Sequence, residues 1–175
     1  MQISGIKVNL RLLDKSDWAL FKILNTCPII MKHVYEPFSI AETKERFEER
    51  IQPWSDKSDQ WLCLAIDEIN SGNKLGSIGL KITNHQANIA EVGYLLKTEA
   101  QGKGIALEAL TLIKNYAFTT LNLNKLVASC SSNNIGSYKV LEKAGFMREG
   151  CLKQNSILNG KYIDDYIYGL CSPAI

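Results

Sequence analysis

The segment 89–130 limits the fold of this chain more than any other, because strand, helix and strand patterns follow one another there. Residues 87–96 (ANIAEVGYLL) and 125–130 (KLVASC) are short, mostly apolar runs. Strand, helix and strand in this order form a crossover that joins two parallel strands. The sequence therefore predicts a parallel pair here. The helix between them runs to about Thr119, and its predicted apolar face contains Ile105, Leu110, Ile113 and Ala117, with Ala106 and Ala109 allowing close approach.

The rest of the chain predicts mostly antiparallel strands around this unit. Ser39 and Glu42 form a capping-box pattern that opens a helix ending near Ile51. Asn159-Gly160 is a strong hairpin signal, because both residues tolerate positive φ. The other predicted elements are strands at 5–12, 61–66 and 74–83, helices at 15–25 and 134–144, and two final strands that flank Asn159-Gly160. The predicted fold class is α/β (α+β), with a mixed, mostly antiparallel sheet of about seven strands and about four helices in a single domain, 1–175.

Composition narrows the class of protein. The 175 residues are 46 % hydrophobic, which is enough for a buried core, and the net charge of +2 is too small to indicate nucleic acid or a membrane surface. No apolar run approaches the roughly 20 residues that span a bilayer, and the N-terminal stretch has Lys7 and Arg11 inside its apolar part, unlike a signal peptide. The five cysteines are odd in number and include no C-x-x-C pair, which predicts reduced thiols, a cytoplasmic location and no metal site.

The turn Gln101-Gly102-Lys103-Gly104 stands at the start of the central helix. The first N–H groups of a helix lack internal partners, and the aligned peptide dipoles make that end positive. Two glycines let a phosphate approach those N–H groups, and a lysine adds a formal charge. The turn can therefore cradle a phosphate or pyrophosphate, although a glycine loop without a ligand is equally compatible with these four residues. Neither a Walker A loop nor a dinucleotide fingerprint fits, because Lys103 precedes Gly104 and position 107 is leucine.

A wider set of motifs surrounds this turn. The motifs are Leu10-Arg11, Glu91-Val92-Gly93-Tyr94, Gln101-Gly102-Lys103-Gly104-Ile105-Ala106, Asn134-Ile135-Gly136-Ser137, Glu142-Lys143-Ala144-Gly145-Phe146, Arg148-Glu149-Gly150, and Gly160-Lys161-Tyr162 followed by Asp164. Their order and spacing resemble the GNAT acetyltransferase superfamily, and within it the bacterial ribosomal-protein N-terminal acetyltransferases for alanine and serine termini. The resemblance covers nearly the whole chain.

The resemblance implies acetyl-coenzyme A (acetyl-CoA) as cofactor and a sheet that is splayed between the strand ending at Leu96 and the strand starting near Lys125. The pantetheine arm would lie in that splay. Asn134 would contact the cofactor, cap its own helix, or do both. The residues implied to bind acetyl-CoA are Tyr94, Leu95, Leu96, Gln101, Gly102, Lys103, Gly104, Ile105, Ala106 and Asn134.

Direct attack of an amine on the thioester, through a tetrahedral intermediate, requires a neutral amine, a stabilised oxyanion and a tolerated thiolate. We expect Glu91 to act as the base through water, although an ordinary strand carboxylate would fit the same position. A backbone N–H near Gly93 would meet the oxyanion, and a glycine inside a strand predicts either a bulge or simple packing. An α-amine, with a pKa of about 8, needs little help from a base.

The group that would protonate the departing thiolate is the point at which this sequence departs from the family pattern. Many GNAT enzymes place a tyrosine four residues before the glycine of Gly-Phe, where this chain has Leu141. We expect Ser137 to substitute, because it shares a helix face with Leu141 and Ala144 and points inward. Its hydroxyl could instead bond a carbonyl of its own helix.

The sequence thus predicts an acyltransferase, most specifically an N-acetyltransferase that modifies a protein N-terminal α-amine, such as that of a ribosomal protein. A small-amine acceptor (a polyamine, an amino acid or an aminoglycoside) and a non-catalytic acyl-CoA-binding module are the alternatives. The expected partners are acetyl-CoA and an amine acceptor, without nucleic acid or membrane, and the expected state is a monomer or homodimer. Residues 27–38 are predicted to form a substrate-side loop, and Trp18, Trp54 and Trp61 are predicted to lie in the core.

Overall fold

A computed structural model describes residues 1–173, in which one eight-stranded sheet is flanked by five α-helices. The sheet order is β1-β2-β3-β4-β5-β6-β8-β7, and all pairs are antiparallel except β5 with β6. The predicted class is confirmed, with one strand and one helix more than expected. The strands are β1 (Gln2–Ser4), β2 (Val8–Leu12), β3 (Leu62–Glu68), β4 (Lys74–Asn84), β5 (Ile89–Leu96), β6 (Lys125–Ser131), β7 (Met147–Leu158) and β8 (Lys161–Cys171). The helices are α1 (Trp18–Thr26), α2 (Pro28–Met31), α3 (Ile40–Arg50), α4 (Ile105–Thr119) and α5 (Ile135–Lys143).

The two additional elements are both short. Strand β1 has three residues and helix α2 has four, so neither is long enough to display an alternating or a helical pattern. The predicted helix at 15–25 begins as a 3-10 turn, Lys15–Asp17, and becomes α-helical at Trp18.

The capping box, the hairpin turn and the apolar helix face that the sequence predicts are all present in the structure. Ser39 accepts a hydrogen bond from the Glu42 N–H, and the Glu42 carboxylate accepts one from the Ser39 N–H, so the capping box is complete. Asn159 and Gly160 both have positive φ, at 50° and 70°, and join β7 to β8. The predicted inward face of α4 is buried along its whole length.

The parallel pairing of β5 with β6 is short. It covers Ile89 to Glu91 on β5, opposite Lys125 to Val127 on β6. Beyond these pairs β5 continues to Leu96, and β6 continues while paired with β8 on its other side. The two strands therefore diverge and leave a gap in the middle of the sheet, as the resemblance implied.

The two faces of the sheet carry different helices. Alternate β5 residues such as Val92 and Tyr94 pack into the larger core, which includes α4 and α5. Leu95 packs instead against a smaller cluster formed by α1 and α3. The gap between β5 and β6 thus connects the α4–α5 side of the sheet to the α1–α3 side.

A buried ion network joins the N-terminal strands to the start of α1. The Asp17 side chain is fully buried and lies 2.7 Å from an Arg11 nitrogen and 2.6 Å from Lys74 Nζ. Arg11 also pairs with Asp67 at 2.7 Å. Burial opposes ionisation of Asp17, but hydrogen bonds from Arg11 and Lys74 outweigh it and hold the pKa of this carboxyl at about 2. Among residues 1–173, none of the helices has the length and apolar character that crossing a membrane requires.

Candidate functional site

The backbone of β5 offers unpaired polar groups to the gap. The Lys97 N–H donates to the Leu75 carbonyl oxygen on the β4 side at 2.9 Å, and the Asn88 carbonyl oxygen accepts from the Asn124 N–H on the β6 side at 2.8 Å. Because backbone groups alternate in direction along a strand, even-numbered residues of β5 point their N–H and C=O groups towards β6. The N–H of Tyr94 therefore enters the gap where β6 no longer pairs.

The turn after β5 is built around two left-handed glycines. Gly102 and Gly104 have φ of 73° and 79°, and Gly104 is the N-cap of α4. The N–H groups of Gly102, Lys103 and Gly104 donate to no acceptor within residues 1–173. A Cβ at Gly102 would meet nothing within 4 Å, and one at Gly104 would meet only Lys7 Nζ at 3.6 Å. This turn is an open set of N–H donors at the positive end of a helix, which suits a phosphate.

Gln101 fixes the approach to this turn. Its Nε2 donates to the Leu96 carbonyl oxygen at 3.3 Å, which ties the end of β5 to the start of the turn. Lys7, from the β1–β2 hairpin, donates to the Lys103 carbonyl oxygen at 3.2 Å and brings a second ammonium group to the same place.

Two cavities meet at the gap. The turn cavity, of about 210 Å³, is bordered by the turn, the end of β5, α2 and the first turns of α5. The α3 cavity, of about 290 Å³, lies on the other side and is bordered by α3, Trp61, β5 and β6. Six residues line both of them, namely His33, Val34, Tyr94, Leu95, Asn134 and Ser137. A long molecule in the turn cavity and a second molecule in the α3 cavity would therefore meet beside these six residues.

Ser137 lies at this meeting point. The Tyr94 hydroxyl donates to the Ser137 carbonyl oxygen at 3.2 Å and lies 3.2 Å from Ser137 Oγ. Asn134 Oδ1 accepts from the Ser137 N–H at 3.1 Å, so Asn134 does cap α5, while it also lines both cavities. Leu141, one turn further along, is buried. The predicted inward direction of Ser137 is thus confirmed.

Two further groups that carry a proton, the Tyr94 hydroxyl and the Cys130 thiol, lie near Ser137. Burial raises the pKa of the Tyr94 hydroxyl to about 12, and the bond with Ser137 only partly offsets this. Burial likewise raises the pKa of the Cys130 thiol on β6 to about 11. Because both groups stay protonated at neutral pH, the meeting point contains proton donors and no thiolate of its own.

Glu91 faces the α3 cavity from the strand face that it shares with Gly93 and Leu95. Burial raises the pKa of its carboxyl, and Lys81, its neighbour in register on β4, opposes that effect. A half-buried carboxylate of raised pKa is a better proton acceptor at neutral pH than an exposed one.

Of the two alternatives for Gly93, a bulge or simple packing, the structure shows simple packing. The pairing of β4 with β5 continues without a register shift from Glu91 to Leu96, and Gly93 lies opposite Gly79. A Cβ at Gly93 would lie 3.6 Å from the Trp61 ring, so this glycine is a packing position beside the indole. Divergence of β6, rather than a bulge, is what frees the backbone of β5.

The α3 cavity contains charges of both signs. Arg46 and Arg50 come from α3, and Glu91 and Asp165 come from β5 and β8. Asp165 is buried and accepts hydrogen bonds from Asn155 Nδ2 and Ser156 Oγ. The predicted substrate-side loop lies along this cavity. Of the three tryptophans expected in the core, Trp61 instead forms part of the cavity wall.

The structure brings most of the predicted residues together. Both predicted catalytic residues, Glu91 and Ser137, line the α3 cavity. Lys103, Gly104 and Ile105 complete the turn without lining either cavity. The predicted cofactor residues that line the turn cavity are Tyr94, Leu95, Leu96, Gln101, Gly102, Ala106 and Asn134.

Comparisons with known proteins agree with this geometry. The family model described as an acetyltransferase (GNAT) domain matches residues 7–147. Spermidine N(1)-acetyltransferase of Escherichia coli strain K12 is 30 % identical over 161 residues, which cover 91 % of this chain and 83 % of that protein.

Two solved structures share the fold closely. The spermidine N-acetyltransferase of Vibrio cholerae, in complex with CoA and spermine, superposes with a TM-score of 0.84 at 27 % identity, covering 95 % of this chain and 96 % of that one. The ribosomal-protein-S5-alanine acetyltransferase of Vibrio fischeri superposes with a TM-score of 0.83 at 22 % identity, covering 98 % and 97 %; that similarity concerns the fold alone. This chain belongs to the GNAT family and is an acetyl-CoA-dependent N-acetyltransferase.

Proposed function

We propose that this enzyme acetylates the α-amine at the N-terminus of a polypeptide, with ribosomal-protein termini as the first candidates. Acetyl-CoA supplies an acetyl group activated as a thioester. The turn fits that cofactor because the N–H groups of Gly102, Lys103 and Gly104 donate to no protein atom within residues 1–173, and the gap fits it because β5 has no pairing with β6 beyond Glu91. Gly102 to Ala106 would hold the pyrophosphate, and the even-numbered residues of β5 would pair with the pantetheine arm.

Three residues near the meeting point would each have a separate role in acetyl transfer. The Tyr94 N–H would stabilise negative charge on the acetyl oxygen, because it points into the gap. Ser137 would supply a proton to the departing sulfur, with the Tyr94 hydroxyl behind it at 3.2 Å. Glu91 would take the proton of the amine through water from the α3 side.

The choice of an α-amine as acceptor is supported by the charged groups of the α3 cavity. Among residues 1–173 that line the α3 cavity, the two guanidinium groups of Arg46 and Arg50 are equal in number to the carboxyl groups of Glu91 and Asp165, so the cavity is not strongly acidic. A polycationic acceptor would be repelled by the two guanidinium groups. An α-amine carries at most one charge, and with a pKa of about 8 roughly a tenth of it is neutral at pH 7.

A polyamine acceptor is the second candidate. It is favoured by the similarity to proteins named spermidine acetyltransferases, two of which are the Escherichia coli and Vibrio cholerae proteins described above. Substrate choice depends on the acceptor cavity and less on the fold, so we rank the charge balance of this cavity above that similarity.

An acceptor screen tests the proposal directly. The enzyme and acetyl-CoA are incubated with N-terminal peptides of ribosomal proteins, with the same peptides blocked by N-formylation, and with spermidine, while release of free CoA thiol is followed. We expect release with the free peptides and none with the blocked ones, because only the α-amine reacts. Turnover of spermidine with no turnover of any free peptide would refute the proposal.

A further inference from the structure

Arg50 is an ionised side chain with poor compensation. Its side chain is only 17 % exposed, and the nearest carboxylate oxygen, Glu49 Oε1, lies 3.9 Å away on a side chain that is 47 % exposed. The Arg50 guanidinium donates no hydrogen bond to any acceptor within residues 1–173. Because burial of a charge is unfavourable unless it is paired, this guanidinium is a group prepared for a partner that the chain does not supply.

Arg46 adds a second guanidinium on the same side of α3. It lies one helical turn before Arg50, and residues four apart share a helix face. Its Cζ stacks 3.9 Å from the centre of the Phe38 ring, which restricts the side chain. Glu42, one turn further back, is already engaged by the N–H and Oγ of Ser39 and forms no ion pair with Arg46 within 4 Å.

Arg50 lies close to the reaction point, and Arg46 lines the same cavity. Arg50 Cζ is 5.5 Å from the centre of the Trp61 ring, and one edge of that ring is 3.6 Å from the position of a Cβ on Gly93. Gly93 separates Glu91 from Leu95 on the cavity face of β5. The guanidinium of Arg50 is thus one indole ring away from the strand that holds the reacting groups. An extended peptide, at about 3.4 Å per residue, covers that distance with its first two or three residues.

We propose that Arg46 and Arg50 bind a carboxylate carried by the acceptor near its reactive amine, so that the enzyme selects N-termini with Asp or Glu at the second or third position. This inference rests on the proposed function and specifies its substrate class. A guanidinium binds a carboxylate through two parallel hydrogen bonds, which fixes the orientation of the acceptor as well as its charge. The same pair of guanidinium groups disfavours a lysine at those positions.

Three peptides that differ only at position 2, as Asp, Asn and Lys, provide the test, with a second set varied at position 3. kcat/KM is measured for each peptide with the wild-type enzyme and with the variants Arg50→Gln, Arg46→Gln and Lys44→Gln. Lys44 is the matched control, because it is an exposed cation on the same helix that does not line the cavity. The Asp-to-Asn ratio is compared within each enzyme, so that a general loss of stability cancels.

We expect the wild type to prefer Asp over Asn by about tenfold or more in one of the two peptide sets, with Lys poorest. That ratio should fall to within about twofold of unity in Arg50→Gln, fall partly in Arg46→Gln, and stay unchanged in Lys44→Gln. Equal kcat/KM for all three peptides would overturn the inference while leaving N-terminal acetylation in place.

The remaining outcomes separate the two proposals. If no peptide is acetylated but spermidine is, both the peptide acceptor and the carboxylate subsite are wrong. If free amino acids are acetylated and their amides are not, with a dependence on Arg50, the carboxylate subsite stands and the peptide acceptor is wrong.

Discussion

Replacement of Gly104 by valine should block the cofactor without unfolding the protein. Gly104 has φ of 79°, a conformation that costs an L residue about 1–2 kcal/mol, and the larger figure applies to a β-branched side chain. Small domains have about 5–15 kcal/mol of stability, so the variant remains folded at 25 °C. The new side chain would occupy the open space above the turn, where the pyrophosphate is proposed to lie.

Gly72→Val is the matched control. Gly72 has φ of 69°, and a Cβ there would also meet nothing within 4 Å, but this residue lies between β3 and β4, away from both cavities. The backbone strain should therefore be similar in the two variants, and both should unfold at a similarly lowered denaturant concentration. Any difference in cofactor affinity then reports the position of the ligand.

Titration calorimetry with CoA measures that difference. We expect Gly104→Val to bind at least tenfold more weakly than wild type, a loss of about 1.4 kcal/mol or more, and Gly72→Val to bind as wild type does. The reasoning fails if Gly104→Val retains wild-type affinity, or if Gly72→Val loses as much, since the effect would then come from strain and not from the blocked site.

Three more predictions concern the site and the ion network. Ser137→Ala should bind CoA normally but lower kcat by about tenfold or more, because a positioned acid is lost; calorimetry beside steady-state rates checks this, and an unchanged kcat would exclude an acid role. The acceptor amine makes kcat/KM fall below about pH 8 in any variant, and Glu91→Gln should remove the additional fall that the wild type shows as pH drops through the raised pKa of this carboxyl; an additional fall that persists in the variant would assign it to another group. Asp17→Asn should cost about 3–5 kcal/mol of unfolding free energy, because Arg11 and Lys74 lose their partner. In the wild type, whose folded pKa for Asp17 is about 2, roughly 2 kcal/mol should be lost as pH falls from about 4 to 2; equal acid sensitivity of wild type and variant in urea titrations would contradict this.

Local chemistry explains why parts of this fold could be predicted from the sequence. The capping box at Ser39, the Asn159-Gly160 hairpin and the glycine turn each depend on the conformational limits of two to four adjacent residues. The inward face of α4 depends on a periodicity within one helix. Such features depend on residues that are close in sequence, so they could be predicted from the sequence and they match the structure.

The contacts that complete the site are not local. Tyr94 and Ser137 are 43 positions apart, and only the crossover between them brings their hydroxyl groups together. The place of Trp61 in a cavity wall could not be predicted, because an apolar residue at the start of a strand is compatible with core and cavity alike. The sequence left a bulge and a packing position open for Gly93 for the same reason, because the indole ring beside it belongs to Trp61, which is distant in sequence.

The short pairing between β5 and β6 means that the two parts of the sheet are joined by few backbone bonds at the very place where the reaction is proposed to occur. A pantetheine arm lying along β5 would act as a substitute strand and complete the interrupted ladder. Binding of the cofactor should then stabilise the connection between the two parts of the sheet. The amide hydrogens of β5 should exchange more slowly with solvent when the nucleotide is bound. The sheet of this enzyme would thus be completed by its own co-substrate in each catalytic cycle.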